Sequence, residues 1–100
     1  MRTEKWRARF IRYYGSPERV RWMQAQPCLV CGAVPSEAHH VKTRAAGGGP
    51  DDVVPLCTAH HREFHDIGVR TFEDRHELDM DMYALVFSCR WKEREDDLAI

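Results

Sequence analysis

Asp52-Val53-Val54-Pro55-Leu56-Cys57-Thr58-Ala59-His60-His61-Arg62-Glu63-Phe64-His65 runs from a short apolar stretch into a ligand-rich one, and its reading decides the fold. Val53 to Leu56 reads as a short strand. A helix is predicted from about Thr58 to Ile67, with Gly68 at its C′ position. His61 and His65 are four apart on that helix, so their rings share one face. Upstream, Ala38 to Lys42 reads as a second strand carrying His39 and His40, which point to opposite sides because they are adjacent. Residues 43–51 join the strands and are too Gly-rich for regular structure. The fold class is therefore α+β, a small strand pair and helix with helices on either flank.

Two ligand pairs bracket the histidines. Cys28-Leu29-Val30-Cys31 and Cys57-Thr58-Ala59-His60 each have the spacing that lets one turn grip Zn²⁺. Two such pairs complete a tetrahedron with no open position, which marks a structural site. Cys28, Cys31, Cys57 and His60 are thus expected to hold zinc, with His61 as the alternative fourth ligand. Gly32 relieves the tight turn of the first pair. Twenty-five residues separate Cys31 from Cys57, and closing that loop with metal adds folding energy to a chain with little core. At the inner histidines, either His39 or His40 can join His61 and His65 at a second metal, with its neighbour close by. Three histidines with open coordination positions suit a hydrolytic site. Cys89 lacks a partner at ligand spacing and is read as filling an apolar helix face.

Further out, Trp6, Phe10 and Tyr13 or Tyr14 recur at helical spacing, which predicts a helix over 3–14. Gly15-Ser16-Pro17 stops it and starts another, with Ser16 as N-cap and Pro17 at the first helical position. That second helix, Glu18 to Ala25, is expected to bury Val20 and Trp22. Beyond the centre, Thr71 is expected to cap a short helix. Asp79 caps a longer one from Met80 to Arg94, with Met82, Leu85, Val86 and Cys89 as its packing stripe. Residues 93–97 should fray.

At 100 residues the chain reads as a single domain. Its core lies at about 28–66, with a basic helical extension at 1–27 and an acidic helical segment at 69–100. No apolar run approaches the ~20 residues needed to span a bilayer, and the charged opening Met1 to Arg7 has no hydrophobic stretch behind it. A cytoplasmic, reducing location is expected, where Cys-x-x-Cys reads as metal-binding. The net charge of −1 hides an asymmetry. Residues 1–50 carry nine Lys/Arg against three Asp/Glu, and residues 51–100 carry six against thirteen. The basic residues interleave with Trp6, Phe10, Tyr13 and Tyr14. Two readings stay open for this segment: contact with a phosphate backbone, or a solvated amphipathic helix whose aromatics pack on the body.

Ala38-His39-His40-Val41, then Asp52 to His61 and its helix, resembles the HNH endonucleases (the ββα-metal or His-Me finger nucleases) over roughly residues 28–66. Arg19-Val20-Arg21-Trp22 leading into Pro27-Cys28, and Phe72 to Asp79 behind, are similar to small phage and prophage members. The resemblance implies a small ββα-metal core with a structural zinc on Cys28, Cys31, Cys57 and His60. It implies that His40 is the general base. His39, His61 and His65 would hold a catalytic Mg²⁺, Mn²⁺ or other divalent cation. His60 stands where the family usually has a fourth Cys. Asp52 takes the place of the Asn that orients the loop, and as a carboxylate it accepts a hydrogen bond without donating one.

The activity implied is metal-dependent DNA endonuclease: phosphodiester hydrolysis, nicking, with low sequence preference. A neutral imidazole is a suitable base near pH 7, and one divalent cation stabilises the charge at phosphorus. Lys42, Arg44 and Arg62 flank the site as candidates for neighbouring phosphates, and Arg7, Arg9 and Arg12 for the backbone further along. The expected partner is double-stranded DNA, with a homodimer or a phage DNA-processing protein as further candidates and no membrane. Two other functions remain open: a zinc-stabilised nucleic-acid-binding module without catalysis, and an interaction module whose ligands are all structural.

Overall fold

The computed structural model describes residues 2–98, with side chains for residues 3–95. Seven regular elements follow in chain order: α1 (Arg2–Tyr14), α2 (Pro17–Gln24), β1 (Glu37–His40), β2 (Val53–Leu56), α3 (Thr58–Ile67), α4 (Val69–His76) and α5 (Met80–Leu98). A 3-10 turn, Pro50–Asp52, leads into β2. The architecture is α+β: a two-stranded antiparallel sheet among helices.

All four residues of β2 are buried, as an unbroken apolar run requires. Pro55 has no N–H to give a ladder, but in a two-stranded sheet each strand has a free edge, so a proline is tolerated. The register pairs Ala38 with Pro55, His39 with Val54 and His40 with Val53. β1 therefore begins one residue earlier than the sequence indicates and ends at His40. Val41 still donates to the Asp52 carbonyl at 2.9 Å, after which the chain leaves the sheet. At Gly48 a Cβ would lie 2.3 Å from the Lys42 carbonyl oxygen. Only glycine lets the loop fold back this closely.

The main core joins Val54 and Leu56 of β2 to Phe64 of α3, Phe72 of α4, Met80 and Ala84 of α5, and Cys28. A smaller cluster sets Met23 of α2 against Val53 and Phe87. Ser16 caps α2 as expected, accepting from the Arg19 N–H at 3.0 Å. The residues α2 buries are Arg19 and Met23, however; Val20 and Trp22 are only half-buried. Arg19 is pulled inward by acceptors, donating to the Pro50 carbonyl at 2.7 Å and to Asp51 Oδ1 at 3.2 Å.

Two expectations for the later helices are corrected. Thr71 caps nothing. α4 starts a turn earlier from Gly68, whose carbonyl accepts from the Phe72 N–H, so Thr71 lies inside the helix and exposed. The stripe of α5 is also rotated. Its buried face is Met80, Ala84, Phe87, Ser88 and Trp91, whereas Met82 is 49% and Leu85 63% exposed and Cys89 is exposed too. Asp79 does cap α5, accepting from the Met82 N–H at 3.1 Å, and the Glu73 carboxylate takes the Met80 N–H at 2.8 Å. The large rings of Phe87 and Trp91 lie on the Met80 side, and burying them decides which face turns inward. The helix continues to Leu98, through the residues expected to fray.

Candidate functional site

The outer donors come from two turns. In the first, Gly32 adopts φ +75° and its N–H donates to the Cys28 carbonyl at 2.9 Å, folding the chain back on itself there. In the second, Cys57 precedes the first turn of α3, which carries His60. The four ligand atoms lie within 4.8 Å of one another. Cys31 Sγ is 3.8 Å from Cys57 Sγ, and His60 Nδ1 is 3.2 Å from Cys57 Sγ and 3.6 Å from Cys28 Sγ. A tetrahedral zinc with Zn–S of about 2.3 Å has S–S edges of roughly 3.8 Å and S–N edges of roughly 3.5 Å. The donor set fits a closed metal site, and its fourth member is His60 rather than His61. Burial pushes the Cys28 thiol up, but N–H groups of Cys57, Cys31 and Val30 and the His60 ring outweigh it, leaving a pKa of about 6. That favours the thiolate, the ligand form.

Sequence reasoning missed what stands behind His60. The His76 ring lies edge-on, 5.5 Å from it, and His76 Nε2 contacts Glu63 Oε1. Glu63 follows His60 by one helical turn, a signal that was available. His76 arrives from α4, and no spacing announced it.

The inner donors are His39 from β1 and His61 and His65 from α3, again within 4.8 Å. His61 Nε2 and His65 Nε2 are 3.1 Å apart. His39 is 1% exposed, and among the described residues its Nε2 is a buried side-chain nitrogen with no hydrogen-bond partner. Leaving such an atom unpaired costs about 1–3 kcal/mol, so a ligand role fits it. Burial, then the proximity of His61, His65 and His40, drives its pKa down to about 3. Its lone pair is free at any physiological pH. Glu37 Oε1 lies 2.9 Å from His61 Nδ1. By accepting that N–H it leaves the Nε2 lone pair turned toward His65, the usual arrangement behind a ligating histidine. Glu37 sits two residues before His39 and so on the same face of β1, a spacing legible in the sequence although a carboxylate there carries no ligand signal of its own. His61 is half-buried and His65 exposed. The outer set offers four donors, enough to close a tetrahedral site, and the inner set offers three.

His40 stands on the other face of β1, apart from the triad. Its ring stacks on Tyr13 at 3.5 Å between centroids and 5° between planes, with Tyr14 edge-on at 4.8 Å. Its Nε2 donates to the Tyr13 carbonyl at 2.8 Å. That nitrogen must carry the proton, so in the neutral ring the other keeps its lone pair. Burial lowers the His40 pKa, outweighing the Tyr13 and Gly49 carbonyls and the Asp52 charge that raise it. Asp52 tethers the loop as an acceptor, taking the Gly49 N–H on Oδ2 at 3.0 Å, and its Oδ1 lies 3.9 Å from Lys42 Nζ.

The basic helix reaches this site. A groove of about 610 Å³ between α1 and β1 is lined by Trp6, Arg9 and Phe10 on one side and Glu37, Arg44 and His61 among others. A second hollow of about 300 Å³ gathers Arg9, Arg12 and Arg44 around Tyr13, with the Arg44 guanidinium 4.4 Å from the ring centroid. Arg7 and Arg62 are exposed and line neither hollow.

The chain is 38% identical over 61 residues to a protein of Escherichia coli (strain K12) described as "Uncharacterized protein YdfU". That match covers 56% of this chain but only 17% of the relative's length. No solved structure matches. Among the described residues no helix is long and apolar enough to cross a membrane. Residues 9–90 match the family described as "Protein of unknown function (DUF968)", a span that takes in both donor clusters and most of the chain. The chain belongs to the DUF968 family.

Proposed function

We propose that the chain is a metal-dependent DNA endonuclease built on a ββα-metal core of the HNH kind, hydrolysing phosphodiester bonds with low sequence preference. The observation that carries this reading is the unpartnered Nε2 of buried His39 beside the facing Nε2 atoms of His61 and His65, of which His65 is exposed. Cys28, Cys31, Cys57 and His60 would hold a structural zinc, and the reading needs a reducing compartment such as the cytoplasm to keep the thiols free. His39, His61 and His65 would hold Mg²⁺, Mn²⁺ or a similar cation, which when bound neutralises charge at phosphorus and on the leaving oxygen.

The protein's own residues do the rest. His40 is neutral at pH 7 and accepts a proton from water on the ring nitrogen not held by Tyr13. Asp52 fixes the loop behind it. Arg44, with Lys42, holds phosphates flanking the scissile bond. With one such site, a single chain nicks one strand.

A second reading, a zinc-stabilised nucleic-acid-binding module, draws support from the cover that Tyr13 and Tyr14 place on His40. A supercoiled-plasmid assay decides between them. Wild type with Mn²⁺ or Mg²⁺ is expected to nick, and His40→Ala to abolish nicking with both metals still bound. Binding without nicking by wild type in any divalent cation would overturn the nuclease reading.

A further inference from the structure

We infer that the groove between α1 and β1 seats an unpaired nucleotide, so the preferred DNA has a single-stranded stretch beside the scissile bond; the cleavage part of this rests on the nuclease reading, the binding part does not. Trp6, Phe10 and Tyr14 follow one another along one face of α1. Trp6 and Phe10 are stacked at 5.5 Å between centroids and 23° between planes, and Phe10 and Tyr14 lie at 5.1 Å and 30°. Trp6 is 67% exposed, at the end of a row whose Phe10 and Tyr14 are half-buried. The Trp6 ring is the part of the row open to solvent.

The same groove brings in the other groups a nucleotide needs. Arg9 stands on the helix side and Arg44 on the loop side, and His61 of the metal triad lines the groove as well. Its volume of about 610 Å³ falls within the range of roughly 300–1,000 Å³ usual for small-ligand sites. Rings, guanidiniums and metal donors thus share one cleft. The aromatic row separates this surface from a plain duplex-binding one. Gripping a duplex backbone requires only positive charge. In a duplex each base face is covered by its neighbours, so exposed rings have nothing to stack on. A base with a free face, in a single strand or extruded from a helix, gains roughly 1–3 kcal/mol on such a ring, about five- to 150-fold in affinity.

The test reads binding apart from cleavage. Zinc-loaded protein without added divalent cation is titrated with labelled oligothymidylate and with a duplex of equal length, following anisotropy and tryptophan fluorescence. The single strand is expected to bind more tightly and to quench Trp6. Trp6→Leu should weaken single-strand binding by roughly five- to 150-fold and remove most of the quench, leaving duplex binding and zinc content unchanged. Trp6→Phe should restore much of the affinity. Duplex binding at least as tight as single-strand binding, or unaltered single-strand affinity in Trp6→Leu, would overturn the inference. Tight, quenched single-strand binding by a protein that never nicks with Mn²⁺ would uphold it while removing the nuclease reading alone.

Discussion

His39 and Glu37 show what a single residue contributes here. His39 is held neutral in the core with its Nε2 unpartnered, while Glu37 turns the His61 ring so that its Nε2 faces His65. Removing a carboxylate behind a ligating histidine typically weakens metal affinity 10–100-fold. Glu37→Gln is therefore expected to bind Mn²⁺ about that much more weakly by titration, with nicking recovered at high metal concentration. His39→Ala and His65→Ala should likewise lose the exchangeable cation. A His39→Ala protein with normal metal affinity and no activity, beside a His40→Ala protein that loses metal, would reverse the two roles. The histidines were legible in the sequence because i,i+4 spacing on a helix and adjacency on a strand fix where rings point. The stacking of Tyr13 on His40 was not, because it joins residues 27 apart through a helix whose docking no local pattern sets.

Among the elements, Asp51 is where α2, the 3-10 turn and α5 meet. Its Oδ1 accepts from Ser88 Oγ at 2.5 Å and from Arg19 at 3.2 Å, and Lys92 lies 3.4 Å away. The Ser88 hydroxyl, then Arg19 and Lys92, hold the Asp51 carboxyl below its ordinary 3.8 against the opposing effect of burial. A folded-state pKa depressed in this way contributes stability above the unfolded value, and that stability is lost as pH falls through the folded value. Asp51→Asn should therefore lower the urea midpoint at pH 7, by an amount that shrinks steadily as pH falls below the ordinary carboxyl range. A loss that stays constant as pH falls would refute the assignment.

The phase of α5 gives a second element-scale test. Phe87→Ala should lose about 3–5 kcal/mol, whereas Leu85→Ala should stay within about 0.5 kcal/mol. Sequence periodicity favours the Leu85 side because α5 carries apolar residues on both faces, and the packing of Phe87 and Trp91 against other elements, which selects between them, has no local signal. Ser16 and Asp79 were readable as caps because a capping side chain acts within three residues; Gly68 opening α4 was not, since glycine there offers no side-chain signal.

For the whole molecule, the outer donors tie Cys28 and Cys31 to Cys57 and His60 across the main core. Apparent zinc binding of about 10 kcal/mol or more rivals the total stability of a small domain. Cys57→Ser is thus expected to be unfolded or insoluble; a soluble variant with a cooperative melt and unchanged zinc content would rule the staple out. A metal count distinguishes a chain that holds two metals with different jobs from one that holds a single staple. Protein equilibrated with Mn²⁺ should retain one tightly held zinc and take up one exchangeable Mn²⁺ per chain, and His39→Ala should keep the zinc and lose the manganese. A single zinc with no second cation at millimolar Mn²⁺, or loss of zinc from His39→Ala, would contradict the two-metal reading.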